Sequence, residues 1–217
     1  MAITARHMLQ ARLDPRSAAP TQQRMNYLAH LLLARHSDEA MVGAFLGDFV
    51  KGSAVSGFDP AIGIEILVHR RIDSVTDHHP VVVAARACFS QAHRRFSGIA
   101  LDVFYDHVLA RHWNRHSEES LAAFSQRAYR ALARHAACLP APARHVAERM
   151  AAQDWLGAYA DFDGVDAALA GIGRRLSRGG DVLAACAQDL RTHYRGLADG
   201  LAPLLRDLDS TATRARH

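Results

Sequence analysis

From Asn26 onward, apolar residues recur at three- and four-residue steps, the period of helices that bury one face. Tyr27 to Ala34 is apolar almost all round, as in a helix enclosed by its neighbours. Ser37 or Asp38 caps a second helix over about 39–51, and Asp59-Pro60 opens a third that runs to about His78, ahead of Pro80. Further helices are expected over 81–96, 99–113, 118–135, 143–159, 161–176 and 181–205, with residues 211–217 fraying. Strand signals are confined to Val81-Val82-Val83, where Pro80 reads better as the first residue of a helix. No repeat or low-complexity block interrupts the series. The pattern therefore predicts one all-α domain, a bundle of about nine helices over residues 25–210. Residues 1–24 lack periodicity and read as a flexible extension.

Three helices carry ionisable residues where a core stripe belongs. His69, Asp73 and Asp77 stand at four-residue steps, and His69 shares its face with Ile62 and Ile66. Asp102 and Asp106 are one turn apart on the face of Tyr105, Leu109 and Trp113, with His107 beside them. Asp48 lies over Met41, Ala44 and Phe45, and Gly43 and Gly47 on that helix let another element approach closely. His30, four residues after Asn26 on the first helix, is a weaker case of the same kind. Burying a charge is costly unless it is paired or metal-bound. A satisfied core histidine, or aspartates that cap helices and pair with arginine, accounts for any one stretch by itself. All three together offer imidazole and carboxylate donors without a thiolate, which suits manganese, magnesium, iron or zinc. Such a centre activates water and neutralises phosphate oxygens, and Arg70 and Arg71 beside His69 can meet a phosphate. No glycine-rich phosphate loop or Gly-x-Ser-x-Gly elbow competes with this chemistry.

Composition narrows the picture. Of 217 residues, 49% are hydrophobic, enough for a sizeable core, and no apolar run approaches the roughly 20 residues that span a bilayer. Cys88, Cys138 and Cys186 are scattered, which argues against a disulfide framework or zinc knuckle and suits a reducing compartment. Of the net charge of +4, residues 1–24 supply +3, from Arg6, Arg12, Arg16 and Arg24 against Asp14. The remainder is about +1, which speaks against general nucleic-acid binding and leaves room for a local basic patch facing an acidic partner.

Met-Asn-Tyr-Leu-Ala-His at 25–30, Gly-Asp-Phe-Val-Lys-Gly at 47–52, His-Arg-Arg-Ile-Asp at 69–73 and Leu-Asp-Val-Phe-Tyr-Asp-His at 101–107 resemble the acyl carrier protein phosphodiesterases. His-Trp at 112–113 and Asp-Trp-Leu-x-x-Tyr at 154–159 fit the same family, so the likeness covers most of residues 25–205. It implies a divergent member of the helical HD metal-dependent phosphohydrolases. The activity it implies is removal of 4′-phosphopantetheine from holo-acyl carrier protein in the cytoplasm, with a divalent ion, usually manganese (magnesium or iron being the alternatives). The His-Asp dipeptide of that superfamily is missing, since Arg70 follows His69. Assigned by position instead, the ligands implied are His69, Asp48 and Asp106, with His30 beside them and Asp73 between ligand and catalytic roles. Asp102 or His107 would orient water or move a proton, and Arg70 would hold the phosphate. The acidic carrier would meet a rim drawn from Arg70, Arg71, Arg94, Arg95, Arg174, Arg175 and Arg178. Two rival readings stay open: a phosphohydrolase of nucleotides or other small esters, and a non-catalytic helical binding module.

Overall fold

A computed structural model describes residues 27–217, so the expected extension over 1–24 lies outside the described residues. The described chain is all helical, with twelve α-helices joined by turns and four short 3-10 segments. α1 (Tyr27–Leu33), α2 (Asp38–Leu46) and α3 (Pro60–His78) form the half that matters most here. Their boundaries follow local chemistry. Ser37 accepts a hydrogen bond from the Ala40 amide at 3.0 Å, and Asp59 from the Ala61 amide at 2.9 Å with Pro60 at the first helical position. His79 ends α3 and begins α4 (Pro80–Ala87). α5 (Ser97–Arg111), α6 (Leu121–Arg134), α7 (Ala141–Ala152), α8 (Trp155–Ala158) and α9 (Phe162–Gly173) follow, and α10 (Gly180–Thr192), α11 (Tyr194–Asp199) and α12 (Leu201–Ala215) complete the chain.

The all-α expectation agrees with the structure, but several helices are shorter than periodicity predicts. The element expected over 81–96 stops at Ala87, where the chain turns so that His93 pairs with Asp189 of α10 at 2.6 Å. The one expected over 143–159 breaks at Asp154, which adopts a left-handed φ of 45°. The one over 181–205 is three helices, with turns at His193 and Gly200. Apolar spacing survives such breaks because the same stripe still faces the core, so period alone does not reveal them. At the other end, the expected fraying of 211–217 does not occur. α12 continues to Ala215, and Arg216 forms a forked pair with buried Glu65 of α3, at 2.5 and 3.1 Å. A third bond, from Arg216 to the Leu33 carbonyl at 2.8 Å, ties the end of α1 to the same point.

One apolar cluster runs through the bundle, and Phe45, Phe89, Phe104 and Phe124 are among its largest fully buried members. Truncating such a residue to alanine costs about 3–5 kcal/mol. The most extensive helix pair is α2 on α3. Gly43 and Gly47 make it possible: a Cβ on Gly43 would sit 2.6 Å from the Glu65 Cβ, and one on Gly47 would collide with the His69 ring. Among the described residues, no helix is long and apolar enough to cross a membrane.

Candidate metal centre

Because α2 and α3 lie so close, the turn after α2 carries Asp48 to the His69 ring. His69 Nδ1–H donates to the Ala44 carbonyl at 2.7 Å, which orients the ring and leaves Nε2 facing the carboxylates. Nε2 stands 3.4 Å from Asp73 Oδ2 and 3.6 Å from Asp48 Oδ1. From α1, His30 stacks on His69 with ring centroids 3.9 Å apart, and its Nε2 lies 3.1 Å from Asp73 Oδ1. One donor atom each from His30, His69 and Asp73 falls within 4.8 Å of the others. Asp48 stands outside that trio, beside it through the contact with His69.

This cluster is poor in hydrogen bonds for its burial. His30 Nδ1, His69 Nε2 and Asp48 Oδ2 are buried without a hydrogen-bond partner. A buried polar group left in that state costs about 1–3 kcal/mol, and such groups mark places where a ligand completes the structure. Burial works against a charged His69, but the carboxylates of Asp48 and Asp73 outweigh it and raise its pKa to about 10. Burial and the neighbouring His69 charge push His30 down. Asp73 is burdened by burial as well, yet His30 and His69 hold it well below the usual carboxylate range. Two imidazoles and a carboxylate converging, with Asp48 beside them and unfilled polar atoms in the group, fit a divalent ion.

Other predicted residues fall elsewhere. Asp106, expected as a ligand, lies outside the His30–His69–Asp73 group, and both its oxygens are in use. The Leu28 and Ala29 amides donate to Oδ2 and Oδ1, each at 2.9 Å. A carboxylate on α5 thus caps α1 from outside, satisfying two of the amides that a helix start leaves open. Burial pushes Asp106 well above the usual carboxylate range, against those two amides. His107 is saturated too: Nδ1–H donates to the Tyr159 carbonyl at 2.8 Å, and Nε2 accepts from the Tyr194 hydroxyl at 2.9 Å. Burial holds its pKa down, as befits a neutral core histidine.

Arg70 donates to the Val50 carbonyl at 2.6 Å, which ties the Asp48-bearing turn back to α3. Asp77 pairs with Arg86 at 2.7 Å. Asp102 lines a separate surface cleft of about 490 Å³ with Arg86, Arg94 and Arg95. Glu65, one turn before His69, was not among the predicted residues. Its i−4 spacing from His69 was the available signal, and its place in the structure is the Arg216 pair. Cys186 lies near the His93–Asp189 pair, but burial raises its thiol to about 12, which leaves no thiolate nucleophile there.

A model of the acyl carrier protein phosphodiesterase family matches residues 25–208. An acyl carrier protein phosphodiesterase of Serratia proteamaculans is 39% identical over 155 residues, which are 71% of this chain and 80% of that protein. One from Yersinia pestis is 37% identical over 179 residues (81% and 91%), and one from Salmonella newport 38% identical over 179 residues (81% and 91%). No solved structure matches the chain. The matched span contains every residue of the cluster and ends before Arg216.

Proposed function

The chain belongs to the acyl carrier protein phosphodiesterase family, and on that premise we propose that it hydrolyses holo-acyl carrier protein to apo-protein and 4′-phosphopantetheine. The observation that carries this reading is the group of buried His30 and His69 with half-buried Asp73, and Asp48 beside it, in which three polar atoms have no hydrogen-bond partner, inside the family-matched span. In the reaction water adds to phosphorus, the bond to the serine oxygen breaks, and that oxygen takes a proton.

His30 and His69 would hold a divalent ion through nitrogen and Asp48 and Asp73 through oxygen. Mixed donors of this kind favour manganese or iron over magnesium, which prefers oxygen. When bound, such an ion lowers the pKa of a coordinated water and neutralises charge on the phosphoryl oxygens. The Ala44 carbonyl keeps the His69 ring turned so that Nε2 faces inward. Asp106 does not ligate in this reading; it fixes the start of α1 and thereby the height of His30. Asp73, with its side chain 21% exposed against 7% for Asp48, is the carboxylate open to an arriving diester. Among HD-type sites this one would be divergent, with Asp73 one turn beyond His69 standing in for the missing neighbouring aspartate. A carrier-protein substrate would place the enzyme in the cytoplasm.

The test is to incubate the full chain with holo-acyl carrier protein and manganese and weigh the carrier by mass spectrometry. Loss of the phosphopantetheine arm, abolished by chelator and restored by manganese, is expected. An unchanged carrier mass with metal demonstrably bound would refute the reading.

A further inference from the structure

The Asp-Trp-Leu-x-x-Tyr motif at 154–159 lies outside the candidate metal centre, and its residues divide into two kinds. Three are built into the frame. Asp154 enters α8 with a positive φ, and the Tyr129 hydroxyl donates to its Oδ1 at 3.0 Å while accepting from the Leu156 amide at 2.9 Å. Leu156 and Tyr159 are buried, and the Tyr159 carbonyl accepts from His107 Nδ1–H at 2.8 Å. Trp155 is the exception. It is half-buried and stands at a cleft of about 360 Å³ formed by α7, α8 and α9.

The walls of that cleft differ in chemistry. From α7, Arg149 places its guanidinium 5.6 Å over the Trp155 indole. The part of α9 that lines the cleft is glycine and alanine only, from Gly164 to Gly171 at three- and four-residue steps. That wall therefore carries no side chain larger than a methyl. Just beyond the end of α9 stand Arg174 and Arg175. Three guanidiniums thus line one small cavity, and among the described residues lining it no carboxylate offsets them. Like charges gathered in this way repel one another, and an anion between them relieves the repulsion.

Size and lining together select the anion. The volume is at the small end of ligand pockets, so the cleft admits a small molecule. Guanidinium forks take phosphate oxygens in pairs. A diphosphate ester carries a charge of about −3 at neutral pH, because a terminal phosphate has a second pKa of about 6. That matches three arginines. The rest of the cleft suits a flat ring, which lies against a wall without projecting side chains and stacks on tryptophan or arginine. We propose that the cleft binds a nucleoside diphosphate, with its phosphates on Arg149, Arg174 and Arg175 and its base on the α9 wall beside Trp155. The site shares no residue with the candidate metal centre and does not depend on the reading under Proposed function.

The experiment is calorimetric titration of the full chain, in excess chelator, with ADP, adenosine and pyrophosphate. ADP should bind at one site, about tenfold or more tighter than either fragment, and should quench tryptophan fluorescence. The other tryptophan, Trp113, is buried, so the quenching should vanish in Trp155→Phe. Arg149→Gln/Arg174→Gln alters two exposed residues and should keep the parent's circular dichroism while weakening ADP about tenfold or more. Ala167→Leu, which fills the α9 wall at another exposed position, should bring ADP down to the affinity of pyrophosphate and leave pyrophosphate unchanged. No binding at millimolar ADP, or ADP binding unchanged in the arginine variant, would overturn the site. Pyrophosphate binding as tightly as ADP would leave the base without a place and overturn the nucleoside assignment.

Discussion

Two regions place ionisable side chains in the core, and they differ in what those side chains lack. Around α5, Asp106 and His107 are almost fully buried and every side-chain polar atom has a partner: two amides for the carboxylate, a carbonyl and a phenol for the imidazole. Around α1–α3, His30 and His69 are nearly as buried and Asp48 half-buried, and each keeps one buried polar atom without a hydrogen-bond partner. Burial by itself therefore does not tell the two regions apart. Saturation does, because a filled hydrogen-bond set leaves nothing for a ligand to complete.

The contrast makes quantitative predictions, and the largest effect is expected in the unsaturated region. His69→Gln keeps a donor for the Ala44 carbonyl but removes the ring nitrogen. Turnover of holo-carrier should fall about 1000-fold or more, since even outer partners of a metal ligand are worth 10–100-fold. Its melting temperature should fall by only a few degrees. A variant that retained activity within tenfold of the parent would erase the distinction between the two regions.

Asp106→Asn should do the reverse. Replacing an acceptor of two buried amides by a group that also donates should cost roughly 3 kcal/mol, or about 6–12 °C for a chain of this size, read by calorimetry. Activity per folded molecule at 25 °C should stay within about tenfold, because no ligand is lost. Arg216→Ala comes next. It strips buried Glu65 of its forked partner and unties α1 from α3, at about 2 kcal/mol after allowing for the partial exposure of Arg216. Metal affinity by calorimetric titration should weaken with it, since His30 and His69 sit on the two helices it joins.

The most gradual effect is a pH dependence in chelated protein, spread over several pH units. His69 has its pKa raised in the folded state to about 10. The stabilisation from its pairing with Asp48 and Asp73 is thus fully present below its unfolded value near 6.5. It is lost as pH rises through about 10, at no more than about 1.4 kcal/mol per pH unit for one proton. Melting curves between pH 6.5 and 10 should show this decline in the parent and in Asp106→Asn, and a flatter profile in His69→Gln. Equal slopes in parent and His69→Gln would mean that the proton does not reside on that ring.

Much of the fold is legible in the amino-acid sequence. Ser37, Asp59-Pro60 and Pro80 mark boundaries that α2, α3 and α4 obey, because capping and proline geometry are local. The broken helices after Ala87, at Asp154 and at His193 and Gly200 are not legible there, because tertiary contacts override an unbroken apolar period. At the site, the residue types and three acid-bearing faces are visible, and so is the close approach at Gly43 and Gly47. What is not visible is which carboxylate meets which partner. Asp106 and Asp48 present the same signal in sequence, an acid on an apolar face.

The sequence alone determined that this chain is helical, that it carries its ionisable groups on faces a core would claim, and that His69 and Asp73 must share one side of α3. Those are consequences of backbone period and side-chain hydrophobicity, which act within a few residues. Only the tertiary structure decided that Asp106 caps a helix 77 and 78 residues away while Asp73 meets His30 across 43 residues. Hydrogen-bond saturation belongs to the pair rather than to either residue, and the pairs form only when distant helices are packed against each other.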